Sequence, residues 1–198
     1  MNHIKLSKLP KKQWQKIRHK HANKYPFDLK VRTDNLRDIK KILDGLKLRF
    51  YLTNGTALAA YREHDWIPWD DDVDLDVYME DLLPAINDIQ RSALGNGFIC
   101  RVTRGGKSGK ISFLKNGEKV AIRGLYLDKS YKSNKYRLRK RYKYPRVFYE
   151  NSRQITFKGM KFNIPDPKPF MVYVYGPRWR TPMKSDNEKE YSTSKIRR

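Results

Sequence analysis

Cysteine is almost missing from this chain. Cys100 stands alone, which excludes an intrachain disulfide and a Cys-rich zinc site. Four scattered His residues add no zinc pattern. Long apolar runs are missing too. No stretch of roughly 18 apolar residues occurs, which argues against a transmembrane helix. Met1 to Ile17 is basic, with no apolar stretch and no small-residue cleavage site, so it does not read as a secretory leader. The expected location is cytoplasmic, with peripheral contact to an anionic membrane surface left open. Acidic residues are scarce: 21 Asp and Glu stand against 44 Lys and Arg, for a formal charge of +23.

The scarcity is uneven. Residues 1–49 carry a net +11, residues 50–99 a net −8, and residues 100–198 a net +20. An acidic island therefore lies inside a basic chain. Basic surface concentrates anions and speeds their encounter. Nucleic acid, anionic headgroups, phosphorylated polymers and nucleotide-activated metabolites are the candidate partners. The island reads either as surface compensation or as a metal site that polyanions approach.

Length and composition fit one folded domain with terminal extensions. Thirteen Tyr and four Trp supply apolar surface for a core. Residues 1–27 read as a basic N-terminal arm with a short helix around Lys11–His21, solvated or anion-binding. Residues 28–183 would form the domain, and 184–198 a polar tail. Within the domain, 34–47 reads as a helix capped by Thr33 or Asp34, with Leu36, Ile39, Ile42, Leu43 and Leu46 on one face. Leu48–Thr53 is β-prone, Asn54-Gly55-Thr56 a turn, and Ala57–Arg62 a helix former. Asp70–Tyr78 reads as a strand with one polar face from Asp72 onward. A helix over Asp81–Leu94 carries Pro84 in its first turn. The runs 98–103, 110–115 and 119–127 are β-prone, and Asn116-Gly117 marks a hairpin. Residues 129–146 hold nine Lys/Arg, four Tyr and no acid. They read as a basic-aromatic insertion, whether solvated or an anionic-acceptor or nucleic-acid groove. A further hairpin is expected at Lys158-Gly159. A last helix would begin at Asp166-Pro167 and end at Gly176. The class is α+β, or mixed α/β.

The segment Asn54 to Asp76 carries the chemistry. A strand, Gly55-Thr56 and a helix place free backbone N–H groups at a helix start, a ready phosphate site. Asp72 and Asp74 stand one residue apart, so on a strand both point to one side. Two adjacent carboxylates repel, and one is driven toward protonation unless a cation sits between them. A hard divalent ion with oxygen ligands, Mg²⁺ or Mn²⁺, is the natural occupant. Val73, Leu75 and Val77 would anchor the strand. Asp76 extends the acidic side, and Asp70 and Asp71 sit on the approach. A polar edge strand that neutralises nearby Lys and Arg is the competing reading.

Gly55-Thr56-Ala57-Leu58 with Arg62, then Ile67-Pro68-Trp69-Asp70-Asp71-Asp72-Val73-Asp74, resembles the signature of the LicD/fukutin family. Ile164-Pro165, Phe170, Tyr175-Gly176-Pro177-Arg178-Trp179 and Pro182 resemble that family's closing element. The resemblance implies a polymerase-β-like nucleotidyltransferase fold, a mixed sheet packed against helices. It implies an enzyme that moves a phosphoalcohol, such as phosphocholine or ribitol phosphate, from a CDP-activated donor to a glycan or polymer hydroxyl. By position, Asp72 and Asp74 would be metal ligands, and Gly55 and Thr56 would hold donor phosphate. Arg62 would lie near the site or pair with Asp70 or Asp71. Trp69 is expected to pack the loop. The family's third acid, on a later strand, is not where it should be: Arg123 or Gly124 falls there. Asp76 and Asp128 are the substitutes that would help activate the acceptor. Two other functions compete: an NTP-using enzyme of the same fold, and a non-catalytic binder of nucleic acid or another polyanion with a degenerate site.

Overall fold

The computed structural model describes residues 9–105, 108–127, 136–139 and 142–184. In chain order the elements are α1 (Lys11–Lys24), α2 (Leu29–Gly45), β1 (Phe50–Leu52), α3 (Asn54–Leu58), β2 (Val73–Tyr78), α4 (Met79–Gly95), β3 (Ile99–Gly105), β4 (Ser108–Lys115), β5 (Glu118–Leu127), β6 (Tyr136–Arg139), β7 (Tyr142–Pro145), α5 (Val147–Glu150), β8 (Arg153–Phe157), β9 (Met160–Ile164) and α6 (Pro167–Tyr175). A wider π-type turn, Ala59–Glu63, continues α3. The fold is mixed α/β, with mixed strand pairing and helices packed on the strands. The chain divides into two compact units, Met1–Phe50 with Asp71–Gly124, and Tyr51–Asp70 with Leu125–Arg198.

In the first unit the strands run in the order β3-β4-β5-β2. The β4–β5 hairpin turns where the sequence says it should. Asn116 (φ 50°) and Gly117 (φ 85°) both take left-handed backbone, the pattern of a two-residue type I′ turn. The turn sets the register, Lys115 opposite Glu118 and Lys110 opposite Arg123. Gly117 is also required by space, because a Cβ there would lie 2.8 Å from the Cβ of Tyr25 at the end of α1. Val73, Leu75 and Val77 of β2 are fully buried, as are Leu82 and Ile89 of α4 and Leu36, Ile39 and Leu43 of α2. Each such side chain contributes about 1.5–3 kcal/mol by leaving water. Gly109 and Gly124, neighbours across β4 and β5, leave room for the Met79 side chain; a Cβ on either would sit 2.3 Å from its Cε.

Four boundaries differ from expectation. The α2 helix begins five residues early, with Asp28 as N-cap accepting from the Lys30 and Val31 N–H groups. Its first turns look polar, but Arg32 and Asn35 are buried. Arg32 Nε donates to Glu118 at 2.7 Å, and Asn35 Nδ2 donates to the Lys115 carbonyl at 2.9 Å. The strand β2 starts at Val73, leaving Asp72 just outside it. The α4 helix starts straight after β2, so Pro84 lies in its second turn rather than its first. The N-terminal helix is longer than expected and is anchored by buried Trp14.

The second unit pairs β1 in parallel with β9, Tyr51 opposite Asn163, and β9 antiparallel with β8. Lys158 (φ 50°) and Gly159 (φ 73°) form the second foreseen hairpin turn. The α6 helix runs from Pro167 to Tyr175 and, as expected, is ended by Gly176, whose φ is 82°. Asp166, however, makes no side-chain capping bond; its carboxylate lies 3.6 Å from Arg153 Nε. The expected basic-aromatic insertion contains the β6–β7 pairing and, at its end, leads into α5. The remainder of 129–146 and the tail from 185 lie outside the described residues.

Candidate active site

Strand β2 presents Asp74 and Asp76 on one side, with Asp72 one step before it. Asp72 and Asp74 converge on a single cationic group. Arg123 Nη2 lies 4.0 Å from Asp72 Oδ2, and Arg123 Nη1 pairs with Asp74 Oδ2. The expected shared direction of the two carboxylates is therefore what the structure has. Lys119 Nζ adds contacts of 3.1 Å to both Asp71 and Asp72. Arg18 of α1 lies 3.8 Å from Asp71. Asp76 is fully buried. Asp128 lies outside the described residues.

The electrostatics follow from this crowding. Burial, and then the charge of Asp74, pushes the Asp72 carboxyl above its ordinary range, against the pull of Lys119 and Arg123. Lys110 faces Arg123 across the ladder. Burial, with Arg123 next, pushes the Lys110 ammonium down to about 8, while Asp74 and Asp72 hold it up. Like charges directly opposite on a sheet are unfavourable, and the two carboxylates offset them here.

The sequence left open whether Arg123 or Gly124 stands at the later-strand position. Alternation along β5 decides it. Gly124 faces Met79 of α4, and Arg123 faces the carboxylates. Lys119 and Lys110 were not recognised from sequence as part of this cluster. A signal existed: Lys119 and Arg123 share a face of β5 at even spacing, and the Asn116-Gly117 turn brings Lys110 opposite Arg123.

In the second unit, Thr56 is buried and Gly55 begins a helix with its neighbours. A Cβ on residue 55 would lie 2.1 Å from Asp70 Oδ2. An anion does approach the Gly55 backbone, and it is the carboxylate of Asp70. Arg62 pairs with neither Asp70 nor Asp71 among the described contacts. Its Nε donates to Glu63 at 2.6 Å and its Nη1 to the Trp179 carbonyl at 2.8 Å. Tyr61 stacks on Trp179 with centroids 5.7 Å apart. Arg62 and Tyr61 thus tie the first motif to the closing one. Trp69 is 42% exposed rather than packed; Trp66 is the buried ring of this loop, edge-on to Phe157.

The donor chemistry suits a hard divalent ion. Asp72 and Asp74 aim at one positive group, and carboxylate oxygens are the ligands such an ion takes. Residues 47–167 match the LicD/FKTN/FKRP nucleotidyltransferase domain, over more than half of the chain. The chain belongs to this family. Over 57 residues, 29% of the chain, it is 39% identical to ribitol 5-phosphate transferase FKRP of Mus musculus, and equally to that of Homo sapiens. The matched stretch spans 12% of those proteins' length. Among solved structures, ANT(2″)-Ia in complex with adenylyl-2″-tobramycin is similar at 13% identity and TM-score 0.46, over 68% of this chain and 69% of that one. The solution structure of ANT(2″)-Ia is similar at 13% identity and TM-score 0.49, over 70% and 66%. Among the described residues no helix of this LicD-family chain is long and apolar enough to cross a membrane.

Proposed function

We propose that this LicD-family chain transfers a phosphoalcohol from a CDP-activated donor to a hydroxyl of an anionic glycan or polymer. Ribitol phosphate is the favoured alcohol, because the relatives that resemble it over 57 residues are ribitol 5-phosphate transferases. The observation that carries the reading is the convergence of Asp72 and Asp74 on one cation inside the family-matching stretch.

Asp72 and Asp74 would hold Mg²⁺ or Mn²⁺. When bound, such an ion supplies neutralisation of diphosphate charge and polarisation of the reacting phosphorus. The remaining work falls to the chain itself. Phosphoryl-type transfer asks chiefly for positioning and charge stabilisation. Lys119 and Lys110 would add positive charge beside the donor. Arg62 would act through Trp179, holding the closing motif in place rather than touching donor. Asp76, fully buried on the same side of β2 as Asp74, would support the carboxylate pair. Asp128 remains the candidate for helping the acceptor hydroxyl lose its proton.

The test is a thermal-shift series, since a ligand that binds only the native state raises its melting temperature. CDP-ribitol or CDP-choline with Mn²⁺ should raise it more than NTPs do. Asp72→Asn and Asp74→Asn should abolish that response, and turnover with it, while the folded circular dichroism spectrum persists. NTPs preferred over CDP-alcohols would move the assignment to another nucleotidyltransferase. Polyanion binding that ignores both substitutions, with no nucleotide response, would favour a non-catalytic binder. That second reading draws on the Arg where an acid is expected.

A further inference from the structure

Arg123 has a place in the site that the motif does not account for. Its guanidinium reaches both Asp72 and Asp74, and its side chain is 20% exposed against 18% and 9% for theirs. A forked guanidinium suits paired carboxylates, and charge-assisted pairs of this kind are the strong ones. Lys119 also contacts Asp72 at 3.1 Å, and Lys110 stands opposite Arg123. The carboxylates are thus already neutralised by side chains of the same unit. A divalent ion coming to them meets the field of three cations, and both carboxylates are engaged.

We infer that Arg123 is a resident counter-ion that competes with the divalent ion for Asp72 and Asp74, so that ion loading requires its guanidinium to withdraw. The inference rests on the reading of Asp72 and Asp74 as ion ligands. It makes Arg123 a positioning residue. With Arg123 in place the two carboxylates are protected from mutual repulsion; once it withdraws, they are free to share the ion. An ion that displaces a paired cation binds more weakly by the strength of the pair it breaks. Removing Arg123 should therefore tighten binding about tenfold or more.

The experiment is direct Mn²⁺ titration of the full chain without nucleotide, followed by calorimetry and by the paramagnetic signal of free Mn²⁺. Wild type, Arg123→Gln, Arg123→Lys and the double variant Arg123→Gln/Asp74→Asn are compared. Arg123→Gln should bind Mn²⁺ about tenfold more tightly than wild type, and the double variant should lose the gain. Mn²⁺ should also raise the melting temperature of Arg123→Gln more than that of wild type. Arg123→Lys keeps the charge but not the fork, and should fall between the two. It decides the matter if the glutamine variant does not fold: Lys binding Mn²⁺ no more tightly than wild type overturns the inference. Equal affinity in wild type and Arg123→Gln, lost with Asp74→Asn, would overturn the competition while leaving the ion-binding reading intact. No Mn²⁺ binding in any variant would overturn both.

Discussion

Lys110 shows how a single residue records its surroundings. Its ammonium is pushed down from 10.5 to about 8, first by burial and then by Arg123. The native protein therefore sheds this proton between about pH 8 and 10.5, while the unfolded chain keeps it. Below pH 8 both states hold the proton, and the full cost of the buried charge is present. Stability from this group rises with pH through that window, because there the unfolded state binds more protons. Lys110→Met should accordingly be more stable than wild type in metal-free buffer below pH 8, with the difference shrinking toward pH 10.5. Urea midpoints of the two proteins between pH 7 and 10.5 would show it. A difference that stays flat or widens would disprove the account. Cys100 carries no such consequence: burial pushes its thiol up to about 12, so it stays a neutral apolar filler.

Among the elements, α2 and the β4–β5 hairpin are locked by one buried ion pair. Arg32 and Glu118 are 1% and 4% exposed. The Asp28 N–H also donates to Glu118, at 3.1 Å, and the Arg32 guanidinium lies 4.6 Å from the centroid of the Phe27 ring. Removing one partner of such a pair leaves the other charge buried and unpaired. Glu118→Ala should destabilise by about 3–5 kcal/mol, read as a lower urea midpoint with an unchanged denaturant slope. A loss within about 0.5 kcal/mol, the usual size for a surface change, would show the pair to be solvated. The same lock explains the misplaced helix start. Apolar periodicity marks only residues that face other apolar groups, and Arg32 and Asn35 face a carboxylate and a carbonyl. The hairpin turns were legible because the information is local. Asn116-Gly117 and Lys158-Gly159 need only their own left-handed backbone.

Over the whole molecule the dominant quantity is charge. At +23, the chain should bind anionic polymers through long-range attraction, and salt should weaken it within a Debye length of about 10 Å at 0.1 M. Exposed Lys11, Lys12, Lys16 and Lys20 of α1 are the natural contributors. Replacing all four by Gln should weaken binding to polyphosphate and flatten its salt dependence, as followed by fluorescence anisotropy from 50 to 300 mM NaCl. Unchanged binding would place the attraction elsewhere on the chain. The motif itself is divided between units: Gly55, Thr56 and Asp70 belong to one, Asp71 to Asp76 to the other.

Taken alone, the amino-acid order determined the family, the mixed α/β class, both hairpin turns and the shared direction of Asp72 and Asp74. All of these depend on residues close in the chain, where backbone geometry and side-chain period act directly. Tertiary structure alone decided that Arg123 rather than Gly124 faces the acidic pair, that Lys119 and Lys110 join it, and that Arg62 serves Trp179. Those pairings join residues tens of positions apart. Which long cationic side chain reaches which carboxylate or carbonyl is settled by strand order and burial, and a linear pattern of charges does not carry that information.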